Sequence, residues 1–154
     1  MGTREQFCQF LEEYAKFIEE MASQEIEKYS ALLSYDHKRM DKAIAAQQAM
    51  NMRFSKLEAQ RAERQEAAGF GEMTFQQILS QMEGEERRQY YGLFERIRKA
   101  VEDVKFFNGK SLSFARAGMQ AFGGEEEDGQ SYTAAMGKAS GIAESLPSLF
   151  EAKI

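Results

Sequence analysis

The chain has 154 residues, with one proline, one cysteine, one histidine, no tryptophan and a formal charge of −5. That length accommodates one domain, or one domain and a tail, and a lone cysteine excludes an internal disulfide and any multi-cysteine metal site. Helix-forming residues dominate and Pro147 is the sole strong helix breaker, so the composition predicts an all-α chain, roughly two-thirds helix or more, with no sheet.

No apolar run approaches about 18 residues, and the first residues lack the charged-then-apolar pattern of a secretory leader. The sequence therefore predicts a cytoplasmic protein without membrane insertion. Charge changes sign along the chain: net −4 over residues 1–33, +2 over 34–68, −2 over 69–84, +3 over 85–122 and −4 over 123–154. Neighbouring helices of opposite sign favour pairing modestly, since exposed ion pairs contribute about 0–1 kcal/mol each. No dense basic patch exists, so nucleic acid is not an expected partner.

The first helix is expected from about Arg4 to Leu33. Its seam is Phe7, Leu11, Tyr14, Ile18, Met21, Tyr29 and Leu32, broken by Glu25, in the three-four steps of a heptad-like stripe. Phe10 and Phe17 widen the stripe enough to cover more than one partner helix. Cys8 falls in this apolar context and is expected to be buried as a small hydrophobe. The chain should turn within about two residues of Tyr35, because a polar segment ends in Asp36, a good N-cap.

The second helix is expected to continue to about Ala68. Its stripe is weak: Met40, Ile44, Gln47, Asn51, Phe54, Leu57 and Arg61. Gln47 and Asn51 lie on the seam itself, either because this arm is partly exposed or because their amides fix helix register. Gly69 and Gly71 end the helix. Thr74 and Gln77 form a capping box for a short helix from Phe75 to about Met82, broken at Gly84.

The last long helix is expected from about Glu85 to Phe122, with Tyr90, Leu93, Ile97, Val101, Val104, Asn108, Leu112, Ala115, Met119 and Phe122 on its seam. Asn108-Gly109 is its weak point, because an interior glycine costs about 1 kcal/mol relative to alanine. The expected architecture is an elongated antiparallel helical hairpin extended to a three-helix bundle by this helix, closed at one end by the short one. The bundle takes residues 1–122. Residues 123–154 begin with the acidic, glycine-rich linker Gly123–Gly129 and form a tail with spaced apolar residues, either disordered or an amphipathic helix that folds against something.

Catalytic chemistry finds little support in these residues. A di-iron bundle site uses two Glu-x-x-His pairs, whereas the single histidine, His37, has Ser34 three residues before it. A structural zinc site lacks ligands. A nucleophile needs a positioned base, and Cys8 and His37 lie toward opposite ends of the first hairpin arm. Gly69-Phe-Gly71 lacks the spacing of a phosphate loop. The chain is not expected to be an enzyme or to carry a cofactor or metal. Phe106, Phe107, Phe114, Met119 and Phe122 crowd the end of the last helix, and one seam cannot hide them all. They either pack near Tyr29, Leu32 and Met40 at the hairpin turn or offer a surface to a partner helix.

Several segments resemble the FlgN flagellar export chaperones: Leu32-Leu33-Ser34-x-Asp36 at the first turn and Gly69-Phe-Gly-x-Met-Thr74-Phe-x-x-Ile78 at the second. The resemblance extends to Asn108 in the last seam and to Ser131-Tyr132 followed by Gly137, so it spans most of the chain. It implies a cytosolic chaperone of flagellar type III secretion. Such a chaperone holds the C-terminal helical segment of the hook–filament junction proteins FlgK and FlgL and docks at the export gate protein FlhA. The client-binding positions it implies are Phe114, Met119, Phe122, Met136, Ile142, Leu146, Leu149 and Phe150, and the gate-docking position is Tyr132. The tail from Ile142 to Phe150 is more apolar than the family pattern. The other reading is a structural coiled-coil or adaptor protein whose stripes drive self-association, against at most a weak homodimer for a chaperone.

Overall fold

The computed structural model describes residues 2–121, and the side chains up to Gly118. The expected linker and tail lie outside the described residues, as do Phe122, Tyr132, Met136, Ile142, Leu146, Leu149 and Phe150. Four helices follow in order, α1 (Thr3–Ser34), α2 (His37–Ala67), α3 (Phe75–Leu79) and α4 (Gly84–Ala121), and no strand occurs among the described residues. The all-α hairpin architecture read from the sequence is the one observed.

The first turn uses the residues that the pattern singled out. Tyr35 ends α1 in the left-handed region, at φ 56°, with its N–H donating to Leu32 O at 3.3 Å. Asp36 Oδ1 then accepts the Lys38 and Arg39 N–H groups at 3.0 and 3.3 Å, satisfying two donors that the new helix leaves open. Ser34 supports the turn on both sides, donating to Ala31 O and accepting the Asp36 N–H.

The second turn is held by a buried side-chain network. Tyr14 on α1 donates to Glu58 on α2 at 2.6 Å, and Glu58 accepts from Arg61 Nη2 at 2.6 Å. Arg61 also donates to Gln65 Oε1, whose amide nitrogen donates to Gly71 O and Met73 O. The left-handed Gly69 (φ 89°) and Gly71 (φ 54°) shape this loop. The Thr74–Gln77 capping box is present in both directions. α3 is shorter than expected, ending at Leu79 rather than Met82. Gln81 and Met82 bond three residues back, to Ile78 O and Leu79 O, so the chain tightens and leaves the helix while still burying Met82.

α1 packs along both α2 and α4 and is the central strut. Tyr14 pairs with Glu58, and Arg53 of α2 lies over the Phe17 ring, so α2 runs antiparallel to α1. Arg4 pairs with Glu86, Arg96 with Glu12 and Glu19, and Lys28 with Asn108, so α4 runs parallel to α1. The topology is up-down-up. α4 continues unbroken through Asn108-Gly109, and its 38 residues make a rod of about 57 Å.

The main core lies toward the N-terminus of α1. Phe7, Phe70 and Tyr90 cluster with centroids 6.0–6.4 Å apart, and Phe75 stacks on Phe94 at 3.9 Å. From there the core continues through Leu11, Ile18 and Met21 to Val104. Cys8 is half-buried beside this core rather than fully buried, because it sits at the edge of the stripe.

Candidate functional site

Beyond Val104 the interior changes character. The buried residues in the next two turns of α4 are Asn108 and Ser111, both polar. They face a stretch of α1 in which Glu25 and Lys28 are buried, and by hairpin register Gln47 of α2 stands level with Glu25. Lys28 Nζ lies 2.6 Å from Glu25 Oε2 in a contact ion pair and donates to Asn108 Oδ1 at 2.9 Å. Burial raises the Glu25 pKa and lowers that of Lys28, each opposed by the partner's charge. Both amide atoms of Gln47, Asn51 Oδ1, Asn108 Nδ2 and Ser111 Oγ are buried without a hydrogen-bond partner.

A second, small apolar cluster sits past this polar layer at the turn end. Among the described residues, Leu32 and Ile44 form its buried centre, with Met40, Leu112, Phe114 and Ala115 packed half-buried around them. Phe114 meets Tyr35 edge-on at 5.9 Å and Phe107 meets Tyr29 at 6.3 Å. Phe106 turns outward, 58% exposed, with Lys110 Nζ 5.5 Å from its ring centre. Leu33 and Tyr35 are exposed at the same end, at 47% and 68%.

The crowded aromatic run of α4 is thus divided. Phe107 and Phe114 pack on the hairpin turn, as one reading of the sequence expected, and Phe106 faces solvent. Met119 lies in the last turn of α4, and its side chain is outside the description. Of the client-binding positions implied by the resemblance, Phe114 alone is placed, half-buried in the turn-end cluster.

Sequence reasoning marked Glu25, Gln47, Asn51 and Asn108 as polar interruptions of three separate seams, but not that they converge near one level. It missed Lys28 and Ser111. Lys28 follows Glu25 by three residues, a spacing that an exposed ion pair shares, so only the packing distinguishes it. Also missed was Arg96, which clamps α4 to α1 through Glu12 at 2.9 Å and Glu19 at 2.5 Å. That clamp lines one wall of a shallow α1/α4 groove of about 450 Å³, with Ala22, Ile26 and Ala100 on its floor and sides.

Cys8 lies near the start of α1 and His37 opens α2 beyond its other end, with about 39 Å of helix axis between Cys8 and Ser34. Burial, and then Glu12 and Glu86, raise the Cys8 pKa, which disfavours the nucleophilic thiolate. No group of three or more His, Cys, Asp or Glu side chains among the described residues could hold a metal ion. No described helix is long and apolar enough to cross a membrane. Comparison with family models, with curated proteins and with solved structures finds no match to this chain.

Proposed function

We propose that this protein is a FlgN-like export chaperone that holds the C-terminal helical segment of FlgK- or FlgL-like hook–filament junction proteins in the cytoplasm. The observation that carries the reading is the turn end of the bundle. Exposed Leu33 and Tyr35 border an apolar cluster whose outer members, Phe114, Leu112 and Met40, are half-buried. An amphipathic client helix buries its apolar stripe on such a surface, and adaptable Met and Phe side chains accommodate several partners. The segments resembling the family supply the identity of the client. In this reading Phe114, with Met119, Phe122 and the tail residues Met136, Ile142, Leu146, Leu149 and Phe150, contacts the client. Tyr132 docks the loaded chaperone on FlhA, and the protein acts without catalysis or a cofactor.

The test is a titration of the full chain with the C-terminal segment of a FlgK-like protein, followed by calorimetry. A one-to-one complex is expected, weakened at least about tenfold by Phe114→Asp. Absence of binding to the wild-type chain overturns the reading.

A structural coiled-coil or adaptor role is the second reading, and one observation favours it. Met52 on α2 and Tyr91 on α4 are exposed at 77% and 51%, away from the turn end. Self-association through those residues predicts a concentration-dependent oligomer in sedimentation velocity. A monomer that binds the client segment decides for the chaperone.

A further inference from the structure

The polar layer divides the bundle into two parts of unequal strength. On one side lies the continuous aromatic and aliphatic core from Phe7 to Val104. On the other, the apolar cluster has, among the described residues, two buried members, Leu32 and Ile44, and four partly buried ones. Between them stand Glu25, Lys28, Gln47, Asn108 and Ser111, all at most 3% exposed. Apolar layers that share side-chain contacts rise and fall together in stability. A layer of buried polar groups breaks that continuity, because its groups gain little by staying packed and regain solvent hydrogen bonds when they open.

Gln47 is the clearest case. No protein group bonds its amide nitrogen or oxygen, so closing the helices over it desolvates both without a protein hydrogen bond in return. Ser111 Oγ and Asn108 Nδ2 are in the same position on α4. Lys28 and Glu25 do have partners, but each carries a desolvation cost that the ion pair offsets only in part. Once parted from their neighbours, these helical segments lose the packing that sustains them, and their backbone hydrogen bonds open with the layer. Gly109 lies immediately beyond Asn108, with no atom near the place a Cβ would take, and gives α4 a compliant point beside the layer. At the far end, the short turn at Tyr35 and Asp36 and the bonds of Arg39 on α2 to Glu27 and Ser30 on α1 join the two arms, which move as one piece.

We propose that the buried polar layer is a built-in break in cooperativity. Residues 29–46 and 108–118 open and close together as one unit while the rest of the bundle stays folded. The unit's opening bares Leu32, Ile44 and Leu112 without unfolding the molecule. It is a property of the free chain and does not depend on which partner the protein serves. Local units of this kind are drawn from regions with few buried apolar contacts, and this end of the bundle is such a region.

The experiment is hydrogen–deuterium exchange by mass spectrometry on the full chain, wild type and the double variant Gln47→Leu/Ser111→Ala. Those two substitutions remove unpartnered groups and leave no other side chain without its bond. In the wild type, segments 29–46 and 108–118 are expected to share one protection level, at least about a hundredfold below that of 7–22 and 90–104. The double variant should slow exchange in the turn-end segments by at least about tenfold and leave the main core unchanged. Leu32→Ala, acting on the small cluster alone, should speed the same segments and spare the core. Uniform protection along the wild-type chain overturns the proposal. So does a smooth decline toward residue 118 that leaves 29–46 protected, the signature of simple end fraying. A double variant that slows every segment equally, or none, also overturns it.

Discussion

Lys28 on α1 donates to Asn108 on α4 at 2.9 Å, and both side chains are sealed from solvent. This is a buried polar link between the two parallel helices, and it draws in Glu25, 2.6 Å from the same ammonium group. Removing one charge leaves the other buried and uncompensated, whereas removing both leaves no buried charge in this layer and only Asn108 Oδ1 newly without its donor. Lys28→Met should therefore cost about 3–5 kcal/mol, while Glu25→Leu/Lys28→Met should cost at most about 1–3 kcal/mol. Urea melts of the two single variants and the double variant check this, and additive single effects would contradict it.

Tyr14 and Tyr90 set the alkaline behaviour. Burial, and then the Glu58 carboxylate that accepts its hydroxyl, hold the Tyr14 pKa well above the usual tyrosine value. Burial likewise raises Tyr90, with Cys8 and Glu86 adding to it. Above about pH 10 the unfolded chain loses these protons and the folded chain keeps them, so stability falls as pH rises from there. Tyr14→Phe should make that fall shallower. Melting temperatures between pH 8 and pH 11, taken as about the span of the transition, give the comparison, and an unchanged slope would show that Tyr14 titrates like an exposed phenol.

Arg96 bridges Glu12 and Glu19 of α1 while about one-third exposed, at 37%. Solvent screening keeps each such pair within about 0–1 kcal/mol, so Arg96→Ala should cost roughly 1 kcal/mol. The loss should shrink as salt is raised, because the charges lie within reach of counterions. A cost independent of salt would mean that the side chain acts through packing.

Phe75 stacks on Phe94 with planes 6° apart and centroids 3.9 Å apart, anchoring the short α3 on α4. Phe75→Ala should destabilise by about 3–5 kcal/mol, the range for emptying an aromatic core site. Thr74→Ala, which removes only the cap, should cost about 1 kcal/mol. Chemical denaturation of both variants separates packing from capping, and equal costs would show that α3 is held by its cap.

The sequence by itself determined the helices and their turns. Spacings of three and four, the Asp36 cap, the Thr74–Gln77 box and the glycines at 69, 71 and 84 are local signals, and local backbone chemistry is enough to read them. The same logic marked each polar seam position, since a polar residue on an apolar stripe is visible without a partner. Local signals overran at Met82, where tightening of the last turn decided the helix end. They could not show that α4 lies parallel to α1. Nor could they show that Glu25, Lys28, Gln47, Asn108 and Ser111, contributed by three helices, close into one buried layer. Phe106 and Phe107 are adjacent in sequence with identical side chains, yet one faces solvent and the other packs on Tyr29. Which helix meets which face, and at what register, depends on contacts between residues some 80 positions apart. Those contacts exist only after the chain has folded.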